Sequence, residues 1–170
     1  MNHFTKLFAI FLVFIQIQIA LSQSLEQKVC QKNRYQALCY STLNLNPRSK
    51  TSNVQGFAWI AVDATTKKVN EMQQYLVSIL KNISDRGDFE RYGTCVEEFG
   101  AAIDRFLPAV VAGLKAGKYS EALSQMREVV AKPGYCQQQF AGIAGISELT
   151  NRNKAVHDIA DMTTDIMKML

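Results

Sequence analysis

Residues 54–83 read VQGFAWIAVDATTKKVNEMQQYLVSILKNI. Apolar side chains recur in this stretch at steps of three and four residues, which is the spacing of one face of an α-helix. A helix of that length extends about 45 Å at 1.5 Å per residue. We expect it to begin after the capping candidates Thr51, Ser52 and Asn53, and to end near Gly87.

Two further runs with helical spacing follow this stretch. The first covers residues 92–114 and contains Pro108, so we expect a bend near Asp104, whose carbonyl loses its hydrogen-bond partner. A break at residues 116–118 ends this run. The second run begins after the capping candidate Ser120, and the Pro133-Gly134 pair is predicted to interrupt it.

The last run covers residues 156–170 and again places apolar side chains on one helical face. Asp158, Asp161 and Asp165 occupy other positions, which favours a solvated face. An alternating pattern typical of a β-strand never lasts more than a few residues. These runs together predict an all-α fold with four long antiparallel helices.

Composition restricts the class of protein further. The chain has 170 residues, of which 48% are hydrophobic and 20% charged, enough for one domain with a core. The net charge of +4 comes without a basic cluster, which argues against nucleic-acid binding. Motifs of nucleophilic hydrolases, zinc proteases and nucleotide-binding loops are missing from the sequence, so we predict no catalytic residue, cofactor or metal site.

The first 22 residues are typical of a cleaved secretory signal peptide. Lys6 precedes an apolar run at 7–15, and the small residues Ala20 and Ser22 follow. The run is far shorter than the ~20 apolar residues of a membrane-spanning helix. We therefore expect a secreted chain of residues 23–170 without membrane contact, and a candidate N-glycosylation site at Asn82 in the sequon Asn82-Ile83-Ser84.

The four cysteines, Cys30, Cys39, Cys95 and Cys136, all lie in this expected mature chain. An oxidising compartment favours disulfides, but spacing alone leaves three pairings open. In a helical hairpin, residues equidistant from the turn lie at the same height. The midpoint between Cys95 and Cys136 falls between Lys115 and Ala116, directly beside the expected turn at residues 116–118, which favours this pair and leaves Cys30 with Cys39.

The order of these features resembles the plant invertase/pectin methylesterase inhibitor family over nearly the whole expected mature chain. The resemblance is carried by the two cysteines at 30 and 39 and by three segments: NPRS at 46–49 followed by GFAWI at 56–60, RYGTCVEEFGAAID at 91–104, and GYCQQQF at 134–140. It implies an N-terminal helical hairpin at 23–50, a four-helix bundle at 51–170 and the same two disulfides.

The resemblance also implies a function. Members of this family are stoichiometric inhibitors of secreted carbohydrate-active enzymes, so the expected partner is a glycosidase or a pectin methylesterase in a one-to-one complex, without catalysis or cofactor. The expected location is the apoplast or cell wall, with the vacuole as the alternative.

Local details resemble the invertase-inhibitor branch of the family more closely. They are RYQALC at 34–39, IAVDA at 60–64 with KVN at 68–70, and NKAVHD at 153–158. That branch places a Pro-Lys-Phe turn in the active site of the enzyme, and the corresponding residues here are Gly117, Lys118 and Tyr119. Without the proline, we expect this turn to lose rigidity.

Three interpretations stay open at this point. The Gly117-Lys118-Tyr119 turn can contact acid invertase, or it can be a simple hairpin turn with Tyr119 packed on the bundle. A pectin methylesterase inhibitor would instead use faces of the bundle helices. A secreted helical protein that binds an apolar ligand or has a structural role, without inhibiting an enzyme, is the third alternative.

Overall fold

The computed structural model describes residues 24–170, so the predicted signal peptide at 1–22 lies outside the described residues. Every regular element in the described range is helical, which confirms the all-α prediction. The α-helices are α1 (Leu25–Gln31), α2 (Gln36–Asn44), α3 (Val54–Leu80), α4 (Arg86–Ala101), α5 (Leu107–Lys115), α6 (Tyr119–Gln138) and α7 (Ser147–Met167). A 3-10 helix, Pro47–Thr51, precedes α3, and a π-helical segment, Ala102–Phe106, joins α4 to α5.

Four long elements form the bundle: α3, the continuous α4–α5 unit, α6 and α7. Short connections make successive elements antiparallel, and α7 packs against both α6 and α3 to close the bundle. Side chains from all four elements are fully buried between them, among them Phe57, Leu76, Phe99, Met126 and Ile166. The predicted four-helix bundle is therefore confirmed.

The ends of α3 follow from capping. Asn53 is the cap at its start, because its side-chain oxygen accepts a hydrogen bond from the Gly56 N–H at 2.9 Å. The expected end near Gly87 is wrong, since α3 ends at Leu80. Gly87 instead lies in the first turn of α4, where the Asp85 side chain caps the helix by accepting from a backbone N–H.

The three prolines of the chain include two inside long helical elements, and these two behave differently. Upstream of Pro108, the segment Ala102–Phe106 is π-helical, which places the irregularity at the predicted position around Asp104. Pro133, in contrast, does not interrupt α6, so that prediction is wrong. The buried side chains of Val129 and Cys136 on either side of Pro133 hold this helix against the bundle despite the lost hydrogen bond.

The N-terminal hairpin consists of α1 and α2, which contact α3 and α7. Cys30 and Cys39 form a disulfide within it, and a second disulfide joins Cys95 of α4 to Cys136 of α6. The second pairing is the one that hairpin geometry predicts. Within residues 24–170, no helix is both long enough and apolar enough to cross a membrane.

Candidate target-binding turn

Gly117, Lys118 and Tyr119 lie where α5 turns into α6. Gly117 has a φ of +70°, in the left-handed region that favours glycine. The Gly117 N–H donates to the Leu114 carbonyl at 3.3 Å, and the Lys118 N–H donates to the Gly113 carbonyl at 2.8 Å. This pair of bonds is a Schellman motif. The expected loss of rigidity without proline is therefore wrong, because backbone hydrogen bonds fix the turn.

The helices on both sides of the turn approach each other closely. A Cβ atom on Gly113 of α5 would lie 2.9 Å from the Cβ of Ala122 on α6, which is too close for two carbon atoms. Tyr119 is half-buried and packs against the hydrophobic core. The packing of Tyr119 on the bundle, which the interpretation as a simple hairpin turn predicts, is thus present, and it anchors the turn. Helix α6 begins at Tyr119 without a side-chain cap, so the expected cap at Ser120 is wrong.

The Lys118 side chain is 60% exposed at the tip of this turn. Its ammonium lies 3.3 Å from both carboxylate oxygens of Glu121, which is itself 68% exposed. An exposed ion pair of this kind contributes at most about 1 kcal/mol. The lysine charge is therefore available to a carboxylate partner that binds it more strongly than Glu121 does.

The turn between α1 and α2 also carries a cation followed by tyrosine, in the sequence Asn33-Arg34-Tyr35. Arg34 donates to Asp161 at 2.7 Å and to both carboxylate oxygens of Asp165 at 2.9 Å. The Tyr35 hydroxyl donates to Asp161 at 3.1 Å, and the buried Asn33 amide donates to a backbone carbonyl of α7. This network attaches the N-terminal hairpin to α7.

The interpretation of Asp161 and Asp165 as a solvated face is therefore wrong. Burial alone raises the pKa of Asp165, but hydrogen bonds from Arg34 and Lys168 outweigh it and lower this pKa to about 2. Similar hydrogen bonds lower the pKa of Asp161 despite its burial. The sequence signal was two acids four residues apart beside an apolar stripe, but nothing in the sequence pointed to a partner as distant as Arg34.

Burial and the hydrogen bond to Asp161 raise the pKa of Tyr35 to about 12. The phenol therefore stays protonated and donates to the carboxylate at ordinary pH. The cation of the hairpin turn is in this way paired with shielded carboxylates, whereas Lys118 of the α5–α6 turn pairs with the exposed Glu121.

The remaining residues that the sequence singled out lie away from both turns. Asn82 is exposed in the loop between α3 and α4, at the opposite end of the bundle from Lys118. His157 is half-buried on α7, with Nδ1 3.4 Å from a carboxylate oxygen of Asp158. Asp158 also pairs with Lys154, as the i, i+4 spacing predicts. In the part of the chain that the structure describes, no cluster of three or more acidic, histidine or cysteine side chains could hold a metal ion.

Three comparisons with known proteins bear on this architecture. The chain is 25% identical over 144 residues to a pectinesterase inhibitor of Actinidia deliciosa, with 84% of this chain and 77% of the relative covered. It is 24% identical over 167 residues to a proposed invertase inhibitor of Platanus acerifolia, with 94% of this chain and 93% of that relative covered.

Among solved structures, a pectin methylesterase inhibitor from Arabidopsis in a mutant form superposes with a TM-score of 0.74 at 20% identity. The superposition covers 87% of this chain and 98% of the other. A second crystal structure of a pectin methylesterase inhibitor, from Arabidopsis thaliana, has a TM-score of 0.66 at 21% identity and covers 88% of this chain and 97% of the other. At these identities the likeness establishes the shared fold.

The family model for plant invertase/pectin methylesterase inhibitors matches residues 24–169, which is nearly all of the part that the structure describes. The relatives named above are enzyme inhibitors and not enzymes. The chain therefore belongs to the plant invertase/pectin methylesterase inhibitor family.

Proposed function

We propose that this protein is a secreted, stoichiometric inhibitor of acid invertase, and that the Gly117-Lys118-Tyr119 turn enters the active site of the enzyme. The observation that carries the proposal is the exposed Lys118 ammonium on a turn fixed by two backbone hydrogen bonds. Glycosidases of this kind perform their chemistry with two carboxyl groups. An ammonium in that pocket meets the opposite charge and blocks access to the substrate.

The fixed geometry of the turn favours tight binding. A loop that must become ordered on binding loses conformational entropy, and this loss subtracts from the affinity. Here the Schellman motif, the close approach of Gly113 to Ala122 and the packing of Tyr119 order the turn before the enzyme is met. The complex contains one inhibitor for each enzyme molecule and needs no cofactor.

The disulfides support the proposal that the protein is secreted. All four cysteines of the chain form disulfides, which are typical of proteins that fold in an oxidising compartment. We propose the apoplast or cell wall as the location, with the vacuole as the alternative.

Pectin methylesterase is the second candidate target. The pectinesterase inhibitor of Actinidia deliciosa, to which the chain is 25% identical, favours it. Under this alternative, the faces of the bundle helices make the contact and the α5–α6 turn has no special role.

A parallel titration separates the two targets. The secreted chain is added to acid invertase and to pectin methylesterase, and residual activity is measured up to and beyond equimolar inhibitor. We expect invertase activity to fall linearly and reach its minimum at equimolar inhibitor. Inhibition of pectin methylesterase alone would replace the first target with the second. Inhibition of neither would contradict the inhibitor function and leave a helical binding or structural protein.

Replacing the lysine tests the turn itself. We expect Lys118→Ala to weaken invertase inhibition by about 30-fold or more, the effect of removing a central interface residue worth at least about 2 kcal/mol. Lys68→Ala is the matched control, because Lys68 also pairs with a glutamate three residues later but lies on α3. Equal inhibition by both variants would place the contact elsewhere on the molecule.

A further inference from the structure

The sequon Asn82-Ile83-Ser84 lies in the short connection between two bundle helices. Helix α3 ends at Leu80 and α4 begins at Arg86, so the sequon lies between them, and Ile83 and Ser84 have no regular secondary structure. Both Asn82 and Ser84 are exposed. Nothing in the fold of this connection covers the asparagine amide or the hydroxyl that a glycosyltransferase must recognise.

Among residues 24–170, the side-chain amide of Asn82 makes one hydrogen bond. Its Nδ2 donates to the Ser78 carbonyl at 3.0 Å, one helical turn earlier. The amide nitrogen carries two hydrogens. Glycosylation replaces one of them and leaves the other available for a hydrogen bond of this kind.

The position of the sequon relative to Lys118 also matters. The α4–α5 unit runs from Arg86 to Lys115, and at 1.5 Å per residue it spans about 45 Å. The α3–α4 connection stands at one end of this unit and the α5–α6 turn at the other. A sugar chain on Asn82 therefore extends from the end of the bundle farthest from Lys118.

We infer that Asn82 carries an N-linked oligosaccharide in the secreted protein, and that this glycan leaves the α5–α6 turn free. In the transfer, Nδ2 of Asn82 forms a bond to C1 of the first sugar. The bond between that carbon and the diphosphate of a lipid-linked oligosaccharide breaks, and the amide proton leaves with the released lipid diphosphate. Whether Asn82 is glycosylated does not depend on the proposed function. The claim that the glycan does not impair inhibition rests on the proposed function.

Intact-mass spectrometry of the full chain secreted from plant cells tests occupancy. We expect a mass above that of the polypeptide, which a peptide-N-glycosidase removes while converting Asn82 to aspartate. Asn82→Gln and Ser84→Ala should each lack the added mass. Asn151→Gln, at an exposed asparagine outside any sequon, should retain it. Secreted wild-type protein at the bare polypeptide mass would overturn the inference, as would added mass that persists in Asn82→Gln.

The second half is tested by invertase titration with the glycosylated protein and with Asn82→Gln. We expect the two inhibition constants to agree within about twofold. A large gain in inhibition on losing the glycan would show that the sugar obstructs the contact and would overturn this half. The mass measurement shows by itself whether Asn82 is glycosylated. A failure of the glycan site can therefore be distinguished from a failure of the proposed contact.

Discussion

Two turns of this molecule carry the same pair of residue types, a cation followed by tyrosine, and use the cation in opposite ways. The exposed fractions of the two cationic side chains are close, 56% for Arg34 and 60% for Lys118. Their partners differ much more: Asp165 is 8% exposed, whereas Glu121 is 68% exposed. The burial of the partner, and not of the cation, separates the two turns.

The difference has a physical cause. Removing the cation from a carboxylate that is shielded from water costs several times more free energy than removing it from a carboxylate that faces solvent. The hydrogen bonds from Arg34 to Asp165 therefore hold the N-terminal hairpin on α7. Lys118 gives up little when it leaves Glu121, so its charge can serve a partner protein. The comparison predicts that Arg34 matters for stability and Lys118 for inhibition.

The disulfides that close the two hairpins should show the largest effects on stability. The Cys30–Cys39 bond joins residues nine apart, and the Cys95–Cys136 bond joins residues 41 apart. Because the longer loop restricts the unfolded chain more, Cys95→Ala with Cys136→Ala should lower the free energy of unfolding by about 4 kcal/mol. Cys30→Ala with Cys39→Ala should lower it by about 3 kcal/mol. Urea denaturation measures both, and a larger loss for the shorter loop would contradict this account.

Removal of the hairpin cation comes next in size. We expect Arg34→Met to lower the free energy of unfolding by about 1–3 kcal/mol, because Asp165 then keeps only Lys168 as a charged partner among the contacts described. The matched control is Arg48→Met, which removes an ion pair to Asp63 whose two side chains are 57% and 56% exposed. The control should cost less than about 1 kcal/mol. Equal losses in the two variants would show that partner burial does not decide the effect.

Acid should weaken the hairpin attachment through Asp165. Its pKa in the folded protein is about 2, below the ordinary value of 3.8. The contribution to stability is therefore fully present above about pH 4 and is lost as the pH falls through about 2, with a size on the order of 2 kcal/mol. Unfolding free energies at pH 5, 4, 3 and 2 measure this loss. Arg34→Met should flatten the pH dependence, and an unchanged slope would contradict the assignment.

The left-handed backbone conformation of Gly117 in the α5–α6 turn should have a smaller effect on stability. Gly117→Ala should cost about 1 kcal/mol, because φ at this position is +70° and a side chain there is strained. The control is Gly134→Ala within α6, where a Cβ would meet nothing within 4 Å. This substitution should stabilise the protein by about 0.5–1 kcal/mol. Thermal unfolding of the two variants should therefore shift in opposite directions, and a shift in the same direction would argue against the left-handed turn.

Much of the fold could be predicted from the sequence because bundle helices bury one regular face. The recurrence of apolar residues through 54–83 and 156–170 predicted α3 and α7, and hairpin geometry predicted the Cys95–Cys136 pair. Local signals were less reliable where packing opposes them. Pro133 reads as a helix break in the sequence, yet buried neighbours on both sides keep α6 continuous.

The polar contacts could not be predicted from the sequence, for a different reason. Asp161 and Asp165 look like surface acids on α7, and their cation lies at the other end of the chain in Arg34. The Schellman motif at Gly117 was also not predicted. The rigidity of the turn was attributed to the proline of a Pro-Lys-Phe turn, which is missing here. A glycine one residue before the lysine was the available signal.

The most direct test of the central claim measures invertase inhibition and thermal unfolding side by side for Lys118→Ala and Arg34→Met. We expect Lys118→Ala to unfold within about 0.5 kcal/mol of the wild type, and to inhibit about 30-fold more weakly or worse. Arg34→Met should be less stable and, at a temperature where it is folded, should inhibit like the wild type. Full inhibition by Lys118→Ala, or its loss only in Arg34→Met, would contradict the claim that the exposed lysine of the α5–α6 turn binds the enzyme.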